Sequence, residues 1–279
     1  MVLVALAVCT GLATGQEPPL PDAETFKREV RERLRDDRAI LSQYTYLERR
    51  EEIDISPLGG VSDGPVKTYE VYPSKEPGNT WKRLIAVDGE PLSEEELAEN
   101  DREHQRHLRE KENESPSERA RRLREEEKER QEEQAILDEV FALYDMTMER
   151  REILHGHPTI FVSLEPRADY EPKTKEGKWM KHVRIRAWVH EHDYELVRVE
   201  ADVLEDITVG WGLIGRVHMG STAIFDRTKV NGEVWLPKRS EVKGTGRTLV
   251  FRTFAVDAVT EWWGFRKRTP RVSTTSDNR

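Results

Sequence analysis

Residues 183–203, VRIRAWVHEHDYELVRVEADV, constrain the fold more than any other stretch, because they read as two alternating strands joined by a short polar turn. In the first half Val183, Ile185, Ala187 and Val189 share one face, while Arg184 and Arg186 point the other way. One apolar and one charged face is the mark of an antiparallel sheet covered on one side. Strands expected at 217–230 and 233–242 meet at Asn231-Gly232, a pair suited to a two-residue hairpin turn because both central positions need positive φ. Gly244 to Gly246 then turns the chain into a strand at 248–256, where both faces are apolar, and a final strand is expected at 262–268.

The first half of the chain is organised differently. Residues 23–42 place Phe26, Val30, Leu34 and Leu41 at spacings of about four and seven, with Ile40 alongside, which predicts a helix with one side to bury. Residues 44–55 and 66–72 lose that period and form an expected strand pair around SPLGGVSDGP. A third strand at 80–87 ends at Asp88-Gly89, and Ser93 with Glu96 three residues on predicts a capping box. From 94 to 133 almost every residue is charged or polar, and Leu97, Leu108 and Leu123 lie too far apart for a heptad seam. Acid-first pairs such as Glu118 with Arg122 and Glu126 with Arg130 predict a solvated helix, each pair worth roughly 0.2–0.5 kcal/mol. Ser115-Pro116 divides it, and the apolar run Ile136, Leu137, Val140, Phe141 and Tyr144 docks its end on the core. Strands at 148–154 and 159–164 flank His155-Gly156-His157-Pro158. The expected class is α+β: a curved antiparallel sheet with an N-terminal amphipathic helix and a charged helical hairpin inserted at 93–146.

The leader VLVALAVCTGLATG carries Ala13 and Gly15 where a signal peptidase prefers small residues, so 1–15 reads as a signal peptide cut before Gln16. It is shorter than the roughly 20 apolar residues a membrane span needs, and no transmembrane anchor is expected. Residues 16–22 form a Pro-rich linker, 23–269 a single domain and 270–279 a polar tail. Cys9, the only cysteine, lies in the leader in a string similar to a lipoprotein cleavage box, although Val8 is bulky for the position before it. The mature chain would then hold no disulfide. A net charge of −9 argues against nucleic-acid binding, which needs a basic face.

No chemistry-bearing motif emerges. Gly210, Gly212 and Gly215 spell a dinucleotide fingerprint, but RVHMGSTAIFD after them alternates like a strand and offers no helix N-terminus to a pyrophosphate. His155 with His157 and His190 with His192 could each give two metal ligands, yet both pairs fall at predicted turns, where exposed histidines are common; no metal or cofactor is assigned. There is no Gly-x-Ser-x-Gly elbow, phosphate loop or His-Glu-x-x-His string, so the residues lend no support to an enzyme, and none is expected. The concave side of the sheet needs apolar filling, from the helices or from a ligand. Its candidate lining is Trp81, Leu84, Trp188, Phe225, Trp235, Phe251 and Phe254, against the plainer reading that aromatic strand residues fill a core.

The order of leader, amphipathic helix, strands, helical insertion and a long run of strands resembles the LolA/LolB-type lipoprotein carriers and the RseB/MucB-type periplasmic sensors. The best local echoes are WKRLIAVDGEPLS and RIRAWVHEHDYELVRVEADV. The resemblance implies a LolA-like half-barrel with helices as a lid, located in the periplasm or secreted, with a cavity for a lipid or a lipoprotein acyl chain. Its sensor branch implies an envelope protein partner, bound through the sheet or the charged insertion. The chain departs from the carriers in that long insertion.

Overall fold

A computed structural model of the chain describes residues 18–34, 38–55, 61–74, 80–209, 215–247 and 253–268. Helices α1 (Ala23–Arg33) and α2 (Arg38–Leu41) precede β1 (Tyr44–Ile55), β2 (Val61–Tyr72), β3 (Trp81–Val87) and β4 (Glu90–Pro91). The hairpin α3 (Glu94–Glu112) and α4 (Pro116–Leu143) leads into β5 (Tyr144–Leu154), β6 (His157–Pro166) and α5 (Lys175–Met180). Then come β7 (Val183–His190), β8 (Leu196–Val203), β9 (Ile207–Val209), β10 (Gly215–Val217), β11 (Thr222–Val230), β12 (Val234–Arg247) and β13 (Thr253–Lys267).

The strands make one antiparallel sheet in the order β4-β3-β2-β1-β13-β12-β11-β8-β7-β6-β5, with β9 and β10 attached beside β12. It is not closed into a barrel, and the expected α+β class with a large antiparallel sheet holds. The chain's first and last strands meet in the middle of the sheet, where β1 pairs with β13 from Tyr44 opposite Lys267 to Arg50 opposite Thr260.

Local signals explain most boundaries. Ser93 and Ser115 each make a full capping box, with Glu96 and Glu118, and Pro116 opens α4. The β11–β12 turn is Asn231-Gly232, with φ of 53° and 71°. Several boundaries differ from expectation: β2 begins at Val61, inside the stretch expected to turn, β5 begins at Tyr144, and Gly244 to Gly246 pair within β12 opposite Val256 to Phe254 instead of turning the chain. The first helix ends at Arg33, because Leu34 leaves helical geometry with ψ of 71°, and α2 takes up the chain after it. The strand expected at 217–230 is interrupted by Met219-Gly220, where Gly220 has φ of 85°. The strands expected at 248–256 and 262–268 are continuous as β13 over the described residues: no turn former lies between 257 and 263, so the ladder with β12 runs on from Asp257 opposite Lys243 to Glu261 opposite Arg239.

Cover on the sheet is uneven. Phe26 and Val30 of α1, Leu143 at the end of α4 and Met180 of α5 pack with Ile160, Val162, Leu164, Ala187 and Val189 of β6 and β7 into the main core. By contrast α3 buries no side chain. It is tied to β3 by a two-pronged Arg83–Asp101 pair (2.7 and 3.0 Å), by Asn100 Nδ2 donating to the Leu84 carbonyl (3.2 Å), and by His104 stacked on Trp81. Within the hairpin Arg122 reaches Glu114 and Glu126 rather than Glu118, and Arg130 reaches Glu127 rather than Glu126.

Candidate functional site: an apolar cavity beneath the first helix

The period-four stripe of α1 sets the roof of the site. Asp22 caps the helix by accepting from the Thr25 amide (2.9 Å), and Phe26 and Val30, one turn apart, point at the sheet with Leu34 beyond them. The floor comes from strand alternation: Val162 and Leu164 of β6, Ile185, Ala187 and Val189 of β7, and Leu196 and Val199 of β8. Val140 and Phe141 of α4 with Tyr144 and Met146 of β5 close one side. Together they enclose a cavity of about 150 Å³ whose accessible lining is apolar, with Lys27 as the only charged residue among those lining it. A cavity of this size, lined by aliphatic and aromatic groups, stays dry and takes an apolar guest about as large as benzene. It is smaller than the roughly 300 Å³ at which sites for larger ligands begin.

The polar groups around this cavity are turned away from it. The Tyr144 hydroxyl donates toward the carbonyls of Met180 and Val183, at 2.8 and 2.9 Å, and burial pushes its pKa up, so the phenol stays neutral. Glu139, one turn before Leu143 on α4, is buried and accepts from the amides of Lys173 and Thr174 and from the Thr174 hydroxyl. Burial alone would raise its pKa, but these hydrogen bonds hold the carboxyl below the ordinary range. The clamp fixes the loop into α5, and a Cβ on Gly177 would collide with the Glu139 carboxylate.

α1 is held from two further directions. Arg31 pairs with Asp138 of α4 at 2.6 Å and lies over the Phe141 ring. Tyr194, in the β7–β8 turn, meets Phe26 edge-on at 5.9 Å. The ion pair is half exposed and contributes at most about 1 kcal/mol, so the roof is secured mainly by Phe26 and Val30.

The aromatic residues singled out from the sequence lie elsewhere. Trp81 is sandwiched between Tyr72 (5.0 Å) and His104 (4.1 Å), and with Leu84 it borders a separate cleft of about 280 Å³ between β3 and α3. Trp188 and Trp235 pack with Val197 in a second cluster, on the sheet face opposite α1, since Trp188 alternates with Ala187 and Val189. Phe225 meets the edge of Trp262 at 6.4 Å, and Phe254 fills the space a side chain at Gly246 would need. Phe251 lies outside the described residues, as do the leader, the tail and Gly210 and Gly212. The six described residues do not form one lining, because aromatic content marks burial without saying which face is buried. The signal that finds the cavity is the aliphatic parity of 183–189, combined with the stripe on α1.

His190 is another departure: it closes β7 at 7% exposure instead of lying open in a turn, and its ring sits among His157, His192 and Trp235. Among the described residues no group of His, Cys, Asp and Glu side chains is arranged to hold a metal ion. No helix among them is long and apolar enough to cross a membrane.

No family model matches the chain, and no curated protein matches it. Among solved structures it is similar to a DUF1329 family protein from Desulfovibrio piger, at 14% identity and a TM-score of 0.32 over 88% of this chain and 94% of that one. It is similar also to a LolA superfamily protein from Nitrosomonas europaea, at 10% identity and a TM-score of 0.29 over 88% and 94%. A chain of the Pseudomonas aeruginosa MucA/MucB complex is covered completely by 89% of this one, at 9% identity and a TM-score of 0.22. These likenesses, to the kinds of protein that the order of elements resembles, are loose, and they leave open what the cavity of this chain holds.

Proposed function

We propose that this chain is an exported, non-enzymatic binding protein that holds the end of a lipid or lipoprotein acyl chain between α1 and the β5–β8 part of the sheet. One observation carries the reading: a cavity of about 150 Å³ with an apolar lining, roofed by a short amphipathic helix rather than sealed within the core. Lys27 at its border would meet an anionic or carbonyl group at the chain's polar end. Native mass spectrometry of the mature protein from Gln16, followed by lipid identification, should reveal an acyl species in the bound fraction. Ala187→Phe, which places a ring in the floor, should lower the affinity for the apolar dye N-phenylnaphthylamine at least tenfold; unchanged affinity would sink the cavity as the site.

A second reading, a sensor that docks an envelope protein, is favoured by the hairpin. α3 buries no side chain, and α4 buries none before Glu139, yet capping boxes and the Arg83–Asp101 pair hold the hairpin in place. Deleting residues 98–133 should abolish capture of such a partner and leave dye binding intact; partner capture that survives the deletion would sink the hairpin as the docking element.

A further inference from the structure

The β7–β8 turn joins a histidine cluster to the roof of the cavity. The His190 ring lies 5.8 Å from that of His157, 5.9 Å from His192 and 5.4 Å from Trp235. Its Nδ1 accepts a hydrogen bond from the Asp193 amide at 3.1 Å, which requires that nitrogen to be unprotonated. The His190 amide donates to the Glu195 carbonyl (2.8 Å) and the Tyr194 amide to the His190 carbonyl (3.0 Å). Between them Tyr194 is held at φ of 58°, a conformation a bulky residue keeps only when its surroundings impose it. Its ring rests on Phe26 of α1, and Val189 and Leu196, on either side of the turn, line the cavity.

We infer that this turn is an acid-sensitive latch: protonation of His190 at Nδ1 opens it, withdraws Tyr194 from Phe26 and loosens α1 over the cavity. The inference rests on the reading of that cavity as an apolar ligand site. A proton on Nδ1 turns the acceptor of the Asp193 amide into a second donor facing it. Other groups face the ring from every side. In its own turn, Asp193 Oδ2 lies 3.2 Å from Nδ1 and His192 is adjacent. β6 supplies His157, β11 supplies Lys229 bonded to Asp193 (2.7 Å), and β12 supplies Trp235, whose indole N–H donates to the same Asp193 oxygen (2.8 Å). Glu191 is engaged by Arg151 and Glu195 by Arg227. Asp193 attracts an imidazolium, but burial, with Lys229 and the other histidines, outweighs it and keeps the His190 pKa below the ordinary histidine value. The closed turn therefore belongs to neutral His190, is complete above about pH 6.5, and is lost as pH falls below that value.

Hydrogen exchange of the full chain, corrected for intrinsic rates, tests the latch without any ligand. Between pH 7.5 and 5.5 protection of residues 190–196 should fall severalfold, up to the roughly tenfold limit that one histidine with an open-state pKa near 6.5 can give, while residues 160–164 in β6 hold theirs. N-phenylnaphthylamine affinity should weaken with the same midpoint. His190→Gln, whose amide oxygen can accept from the Asp193 amide without charging, should remove both responses, and His192→Gln should keep them. Tyr194→Gly, which relieves the positive φ and removes the ring, should bring dye affinity at pH 7.5 down to the wild-type acid level. Unchanged exchange in the wild type, or a response that survives in His190→Gln, overturns the latch. Exchange that responds in a protein binding no dye at any pH would support the turn as a pH-sensitive element and sink the cavity reading instead.

Discussion

Two faces of the same strands show how differently this sheet is stabilised. On the α1 side, Ala187, Val189, Val162 and Leu164 meet Phe26 and Val30 in a dry core. On the other side, beside the smaller apolar cluster of Trp188, Val197 and Trp235, the intervening residues form rows of alternating charge across strands. Arg198 reaches Asp226 (3.3 Å), Asp226 stands opposite Arg239, and Arg239 reaches Glu261 (2.8 Å), which reaches Arg49 (3.5 Å). A neighbouring row joins Arg184 and Arg186 to Asp202 and Glu200. Apolar burial contributes about 25 cal/mol per Å² and cannot be screened by salt; partly exposed ion pairs contribute 0–1 kcal/mol each and can. Apolar burial, most of it beneath α1, therefore sets stability, while the charged rows set register: a slip of one residue would turn them toward α1, and a slip of two would set Arg186 opposite Arg198 or Glu241 opposite Glu261.

The strongest way to break the comparison is Phe26→Ala. It removes a fully buried ring that touches both the floor and Tyr194, and about 3–5 kcal/mol should be lost, measured by urea unfolding. A loss below about 1 kcal/mol would mean that α1 is not part of the cooperative core. Gly177→Ala comes next. An alanine in a helix normally stabilises by up to about 1 kcal/mol, but here its Cβ collides with the Glu139 carboxylate. With that carboxylate held by Lys173 and Thr174, a net destabilisation of about 1–3 kcal/mol is expected, and a gain in stability would show that the clamp yields freely.

What the sequence discloses about these two faces is uneven for a physical reason. Strand parity in 183–189, the stripe of Phe26 and Val30, the caps at Ser93 and Ser115 and the turn at Asn231-Gly232 are local, and each is legible over a few residues. The placement of Trp188, Trp235 and His190 is not local. His190 is buried because Trp235, 45 positions on, and His157, from the preceding strand, converge on it, and turn chemistry alone reads such a histidine as exposed. The pairing of β1 with β13 is equally invisible to any window, yet it carries Glu48 to the Trp262 indole (3.1 Å), which joins Lys82 of β3 (2.8 Å) and Arg50 of β1 (2.9 Å) around a buried carboxylate.

Smaller effects belong to the charged face and sharpen the comparison there. Arg239→Met should cost no more than about 1 kcal/mol, and that difference should shrink in 1 M salt, whereas the Phe26→Ala loss should not.

The finest distinction lies in acid. Glu241 is flanked on its own strand by Lys243 (2.5 Å) and Arg239 (2.8 Å), and hydrogen bonds from Lys243 and then Arg239 lower its pKa to about 2. An unfolded glutamate titrates near 4.3, so this carboxylate's contribution is fully present above that value and is lost as pH falls towards about 2. Glu241→Gln should therefore flatten the acid limb of the stability profile between those values while leaving the neutral plateau almost unmoved, because solvent screens the row. An acid limb identical to the wild type would mean that the screening is complete. The charge alternation would then govern only which register forms, and the sheet would be held by apolar burial alone, beneath α1 and in the smaller Trp188–Trp235 cluster.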